Sequence, residues 1–207
     1  MTVRATLLSL LLIAGCANPL NERHVRFYTD AGSSAERAGN WELAERNYER
    51  ALINARIARP DSGPTYDRSM AAYNLGRAKG HLCKFEDAET LLTEALKMEE
   101  KLSGPSSGLT TMRLLELGRL NLDQGQFPKS VPYLERGLAA VAKLGVEQSD
   151  PGALANAYDD LAAALQGSGD LGKADTARQE ALRIRKANPD RPARFASTRY
   201  KEPCSVK

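Results

Sequence analysis

The stretch Ala72-Tyr73-Asn74-Leu75-Gly76, followed by Ala88-Glu89-Thr90-Leu91-Leu92-Thr93-Glu94-Ala95, decides how this chain folds. Gly76 and Ala88 stand twelve residues apart, and the same interval separates Gly32 from Ala44, Gly118 from Ser130, and Ala162 from Ala174. Ala88, Leu92 and Ala95 recur at helical spacing, so they share one face. Small residues let two antiparallel helices approach closely, and large neighbours fill the groove left between them. A single pair cannot bury its own apolar face, so successive pairs have to stack. The positions 44, 88, 130 and 174 advance by steps of 44, 42 and 44 residues. This spacing predicts helix pairs at 23–38 with 41–58, 65–81 with 85–102, 109–124 with 128–144, and 152–167 with 171–187. The segments between pairs carry chain-breaking residues: Pro60-Asp61-Ser62-Gly63-Pro64, Ser103-Gly104-Pro105-Ser106-Ser107-Gly108 and Ser149-Asp150-Pro151-Gly152.

The blocks Tyr28-x2-Ala31-Gly32, Ala72-x2-Leu75-Gly76, Leu114-x2-Leu117-Gly118 and Tyr158-x2-Leu161-Ala162 resemble the first half of the tetratricopeptide (TPR) motif. Ala44-x3-Tyr48-x2-Ala51, Ala88-x3-Leu92-x2-Ala95, Ser130-x3-Leu134-x2-Gly137 and Ala174-x3-Arg178-x2-Ala181 resemble the second. The long steps are similar to those of kinesin light chains. The resemblance implies an all-α fold, a right-handed superhelical TPR solenoid of about four helix-turn-helix repeats. Those repeats fall at 23–58, 65–102, 109–144 and 152–187, making 23–187 the TPR domain.

The same resemblance implies a partner groove on the concave face, lined by the first helix of each pair. The expected lining is Arg26 from the first pair, and Tyr73, Asn74, Arg77 and His81 from the second. Glu116 and Arg119 come from the third pair, and Asn156, Asp159 and Asp160 from the fourth. Arg77, Arg119 and Asn74 suit a peptide carboxylate through charge-assisted hydrogen bonds. The alternative is that these charges form a solvated face and pair with one another. The full carboxylate clamp of chaperone-binding TPR proteins is absent, because its lysine and second asparagine are missing from the matching positions.

Residues 1–15 read as an address. Arg4 supplies a positive start, the apolar run Ala5 to Ala14 follows, and the run is too short to span hydrocarbon as a helix. Ile13-Ala14-Gly15-Cys16 resembles the lipobox of bacterial lipoproteins. That resemblance implies cleavage before Cys16, lipid on its thiol, and 16–22 as a lipidated linker. Several acyl chains anchor stably where one does not. Ala17, in place of Asp, implies delivery to the outer membrane, facing the periplasm, in a Gram-negative host. Bacterial relatives of this architecture include pilus-assembly pilotins and adaptors for cell-wall enzymes. The reading is a membrane-anchored scaffold for envelope proteins or peptides, with self-association or an unrecognised enzymatic site as alternatives.

Composition narrows the rest. A net charge of +3 lacks the concentrated positive footprint of a nucleic-acid binder. Gly104-Pro105-Ser106-Ser107-Gly108 fits a hydrolase nucleophile elbow and Gly167-Ser168-Gly169-Asp170-Leu171-Gly172 a dinucleotide fingerprint. Both chemistries need a preceding strand, and both segments follow predicted helices. His24 and His81 are isolated from other metal-ligating residues, so no metal, cofactor or catalytic residue is expected. Trp41 reads as a packing residue.

In the third repeat Ser130 and Gly137 replace packing alanines, and Pro128 and Pro132 enter the second helix, which predicts the weakest local stability there. Residues 188–207 show no helical period and read as a flexible basic tail. Phe195 and Tyr200 either fold back over the last pair or leave that end open to a partner. Arg191, Arg194, Arg199, Lys201 and Lys207 are solvated or meet anionic lipid or glycan. After lipidation of Cys16 the remaining cysteines are Cys83 and Cys204. An oxidising compartment allows them to pair and tie the tail to the array, though sequence does not set their distance; the alternative is a free, buried Cys83.

Overall fold

The computed structural model describes residues 19–60, 63–194, 199–200 and 204. The expected signal peptide, Cys16 and Phe195 lie outside the described residues. Among the described residues the chain forms nine helices: α1 Pro19–Arg37, α2 Trp41–Ala58, α3 Tyr66–His81, α4 Phe85–Ser103, α5 Gly108–Asp123, α6 Phe127–Lys143, α7 Val146–Ser149, α8 Pro151–Gly167 and α9 Leu171–Ala187. Pairs α1/α2, α3/α4, α5/α6 and α8/α9 are the four repeats. First helices of neighbouring repeats also meet, α1 with α3 and α5 with α8, which puts them on the inner side of the curve. The result is an all-α TPR-like solenoid.

Local chemistry sets the helix starts. Asn40, Thr65, Ser107, Asp150 and Asp170 each accept a hydrogen bond from the backbone N–H three residues on, at 3.0–3.3 Å. Such caps satisfy donors that the first turn leaves unpaired. Two boundaries differ from the sequence reading. α1 begins at Pro19, so residues 19–22 are helix rather than linker, and Glu22 Oε1 accepts from Arg59 Nε at 2.8 Å. α7 is an unforeseen turn of helix before the break at Asp150.

The twelve-residue interval has a direct packing cause. A Cβ on Gly32, Gly76 or Gly118 would lie within 3 Å of Tyr48, Leu92 or Leu134, sixteen residues on. Glycine therefore lets the second helix seat its largest residue against the first. Repeat three repairs its own departures: Ser130 Oγ donates to Gly118 O at 2.7 Å, and Leu115 packs over Gly137. α6 runs through Pro132 from Phe127 to Lys143.

The two enzyme-like glycine segments are turns. Gly104 and Gly169 hold left-handed backbone, Ser107 caps α5, and Gly167 gives room to the Phe127 ring. Gly39, Gly125 and Gly169 make the tight turn inside repeats one, three and four with φ of +70°, +72° and +85°. Cys83 occupies that turn in repeat two with φ of +63°, and is the one non-glycine residue with left-handed backbone among those described.

The tail departs most from expectation. Arg191 donates to the carbonyls of Gln148 and Ser149, and Ala193 lies against Gly152 at the start of α8. Tyr200 is fully buried in the array and Cys204 is bonded to Cys83, with Cα atoms 5.7 Å apart. Tyr200 does not cover the end of repeat four. It reaches back to repeats two and three.

Candidate functional site

The inner face of α3, α5 and α8 carries a continuous row of polar side chains. Helical spacing puts Tyr73, Arg77 and Gly80 on one stripe of α3, and Glu116, Arg119 and Asp123 on the facing stripe of α5. Asp160 completes the row from α8. Glu116, 3% exposed, is its centre. It accepts from Tyr73 Oη at 3.2 Å and lies 3.8 Å from both Arg77 and Arg119. Arg77 also meets Glu36 at 2.8 Å, and Arg119 meets Asp160 at 3.0 Å.

Burial works against the charge on both arginines, but their acidic neighbours more than offset it. Glu116, the Tyr73 phenol and Glu36 hold Arg77 above its ordinary pKa. Glu116 and Asp160 do the same for Arg119. Both guanidiniums are thus committed to carboxylates of the array, which corrects the expectation that they hold a partner's carboxylate. The mutual pairing of groove charges is what the structure shows.

Tail residues enter this row with the opposite polarity. The Tyr200 hydroxyl donates to Glu116, and its backbone N–H donates to Asp123 at 2.6 Å. Arg199 donates to Asp160 at 2.6 Å and lies 3.8 Å from Asp123. The Tyr200 ring sits on Gly80, where a Cβ would come within 2.5 Å of it. Beside it the His81 ring is 5.0 Å away, itself stacked on Trp41 at 3.6 Å. Burial, then the Glu116 charge, pushes the Tyr200 phenol well above its usual range, so it serves as a neutral donor. Burial, then Arg77, pulls His81 down to about 4.

Of the expected groove residues, Tyr73, Arg77, His81, Glu116, Arg119 and Asp160 converge, with Asn74 buried on the same helix. Arg26 lies exposed on α1. Asn156 and Asp159 both accept from Arg185 of α9, so they serve the pairing of α8 with α9. Sequence reasoning missed Glu36, Asp123, Arg199 and Tyr200. Below the row it also missed a buried pair joining repeats two and three. Arg113 and Glu99 are both 0% exposed and 3.4 Å apart, with Ser69 and Ser103 donating to Glu99 and the Arg113 guanidinium 4.7 Å from the Tyr73 ring centre.

Beyond Tyr73 and Arg119 the concave face continues as a cleft of about 240 Å³, with Met112, Leu115, Val146 and Leu154 among its walls. Among the described residues no cluster of His, Cys, Asp or Glu could hold a metal ion, and no helix is long and apolar enough to cross a membrane.

Residues 67–143 match the tetratricopeptide repeat family model. Solved structures extend the likeness over most of the chain. BtubC (BKLC) from P. vanneervenii is 27% identical, with 86% of this chain and 70% of that one covered and a TM-score of 0.75. Kinesin-light-chain TPR-like repeats of Podospora anserina are 21% identical over 81% of this chain and 77% of theirs, with a TM-score of 0.69. A Rap protein complexed with competence and sporulation factor is 16% identical over 79% of this chain and 43% of its own, with a TM-score of 0.61. No curated protein matches the chain.

Proposed function

We propose that this chain is a non-catalytic scaffold of the bacterial cell envelope, held to a membrane through lipid on Cys16 and binding an extended protein segment in its concave groove. The observation that carries the reading is the seat of Arg199 and Tyr200. Three carboxylates and a ring-sized slot at Gly80 hold a two-residue piece of non-helical chain by its side chains and one backbone N–H. A face that holds one non-helical segment this way has the chemistry to hold another. The Rap protein's complex with competence and sporulation factor is a case of the same fold bound to a partner. The lipobox-like Ile13-Ala14-Gly15-Cys16 supports the anchor, and Ala17 the outer membrane, facing the periplasm. Anchoring raises the local concentration of every partner on that surface, so modest groove affinity suffices.

In-cell crosslinking tests both halves. A photoreactive residue replacing Met112 should yield a discrete adduct with an envelope protein, and one replacing Lys97 on α4 should not. Cys16→Ser should move the protein out of the membrane fraction. Identical adduct patterns from both positions would overturn the groove assignment, and unchanged membrane partition would overturn the anchor.

A further inference from the structure

We infer that Glu116, Asp123 and Asp160 with the Gly80 slot form a binding site for an extended partner segment carrying arginine followed by tyrosine, which the chain's own Arg199-Tyr200 occupies while Cys83 and Cys204 are bonded. The inference rests on the groove reading above and names what that groove selects.

Charge comes first. The row holds four carboxylates, Glu36, Glu116, Asp123 and Asp160, against two guanidiniums, Arg77 and Arg119. Without the tail it keeps a negative excess in a partly desolvated place, where a guanidinium is favoured. Arg199 supplies that charge, and Asp160, 1% exposed, receives it.

Shape comes second. Gly80 lies in the last turns of α3, where glycine weakens a helix relative to alanine. A Cβ there would collide with the Tyr200 ring, so the array gives up helix stability at the point where an aromatic side chain is seated.

The third observation is independent of both. Repeats one, three and four turn on glycine, and repeat two turns on Cys83 in the same left-handed backbone. An L-residue in that region is disfavoured, because its Cβ crowds the following carbonyl oxygen. A thiol is kept there against the local preference, at the one turn next to the slot, and it holds the tail.

The bond controls competition. While it is closed, the four-residue link to Cys204 keeps Tyr200 within about 14 Å of its anchor, so any competing segment meets the tail at very high effective concentration. A dithiol reductant opens it by two exchange steps. Its first thiolate attacks one sulfur and releases the other as a thiol, and its second thiolate then expels the remaining cysteine, leaving free Cys83 and Cys204 thiols and an oxidised reductant. The tail then becomes a tethered ligand that a partner at comparable effective concentration can displace.

The probe is a fluorescein-labelled peptide of residues 194–207 carrying Cys204→Ser, titrated by anisotropy against the full chain. Three forms are compared: oxidised, held in dithiothreitol, and the triple variant Arg199→Ala, Tyr200→Ala, Cys204→Ser. The triple variant should bind, the reduced wild type should bind about tenfold or more weakly because its own tail competes, and the oxidised protein should not bind. Tyr200→Ala or Arg199→Ala in the peptide should cost about tenfold or more. Asp160→Asn added to the triple variant should weaken binding likewise, with circular dichroism confirming the helices.

Equal binding to all three forms would overturn the control by the bond. No binding to the helical triple variant, or indifference to both peptide substitutions, would overturn the site. Disulfide-linked dimers on a non-reducing gel would show the tail seated in a second copy and overturn the intramolecular arrangement. If Met112 crosslinks an envelope protein but the peptide fails, the scaffold reading stands and this one falls.

Discussion

The hydroxyl of Tyr200 donates to the carboxylate of Glu116, eighty-four positions earlier in the chain. This bond joins a residue without regular secondary structure to a buried acid at the centre of the groove. Glu116 keeps Tyr73 as a donor and both arginines as neighbours when the phenol is removed. Tyr200→Phe should therefore cost only about 1–2 kcal/mol. Tyr200→Ala, which empties the ring's seat as well, should cost about 3–5 kcal/mol. Urea unfolding of the oxidised protein checks both values, and equal losses would mean that the ring contributes little.

Cys83 should respond to substitution in an unusual order. In a background carrying Cys204→Ala, Cys83→Gly should be more stable than Cys83→Ala by about 1 kcal/mol, because only glycine adopts φ of +63° without steric cost. Elsewhere alanine is the more stable choice, since it limits the freedom of the unfolded chain. Paired thermal melts decide the sign.

His81 predicts an acid-side loss of stability. It takes up a proton near its ordinary 6.5 when unfolded, but only at about 4 within the fold, because burial and then Arg77 disfavour its charge. Between those values the unfolded chain binds more protons, so stability falls as pH drops from 6.5 towards 4. His81→Gln should flatten the slope over that window, measured as unfolding free energy against pH. An unchanged slope would assign the acid sensitivity to carboxylates such as Glu45, which is held low by Lys84 and Lys79 against the opposing effect of burial.

The buried Arg113 and Glu99 pair should tolerate loss of one partner poorly. Glu99→Gln leaves the Arg113 charge enclosed without a counter-ion and should destabilise by about 3–5 kcal/mol. Glu99→Leu with Arg113→Met removes both charges and should recover most of that loss. If the double variant is no better than the single, hydrogen bonds from Ser69 and Ser103 matter more than the charge.

The helices are legible because their causes are local. Gly76, Ala88 and Leu92 meet through a spacing that helix geometry imposes, and the same spacing places Tyr73, Arg77, Glu116 and Arg119 on the inner face. The tail is not legible in this way. Arg199 and Tyr200 belong to no period, and their seat is assembled from α3, α5 and α8 only after the repeats have stacked. The polarity of the groove is hidden for the same reason, since Arg77 is offset by Glu36 from another repeat. One signal does stand in the sequence: Cys83 takes the turn position that Gly39, Gly125 and Gly169 hold elsewhere. Comparing that column across repeats marks the one turn that carries a side chain with a task.

The Cys83 to Cys204 bond also reroutes tension. A linear array of repeats transmits a pull between its ends through every helix pair in series. Here the covalent path runs from the first repeat through α3 to Cys83, and then crosses directly to Cys204, three residues before Lys207. Everything between residues 83 and 204 lies on a slack loop. With the bond closed, α4 and repeats three and four are mechanically shielded, while the α3 side of the groove stays on the loaded path. Once it is opened, they bear the full load.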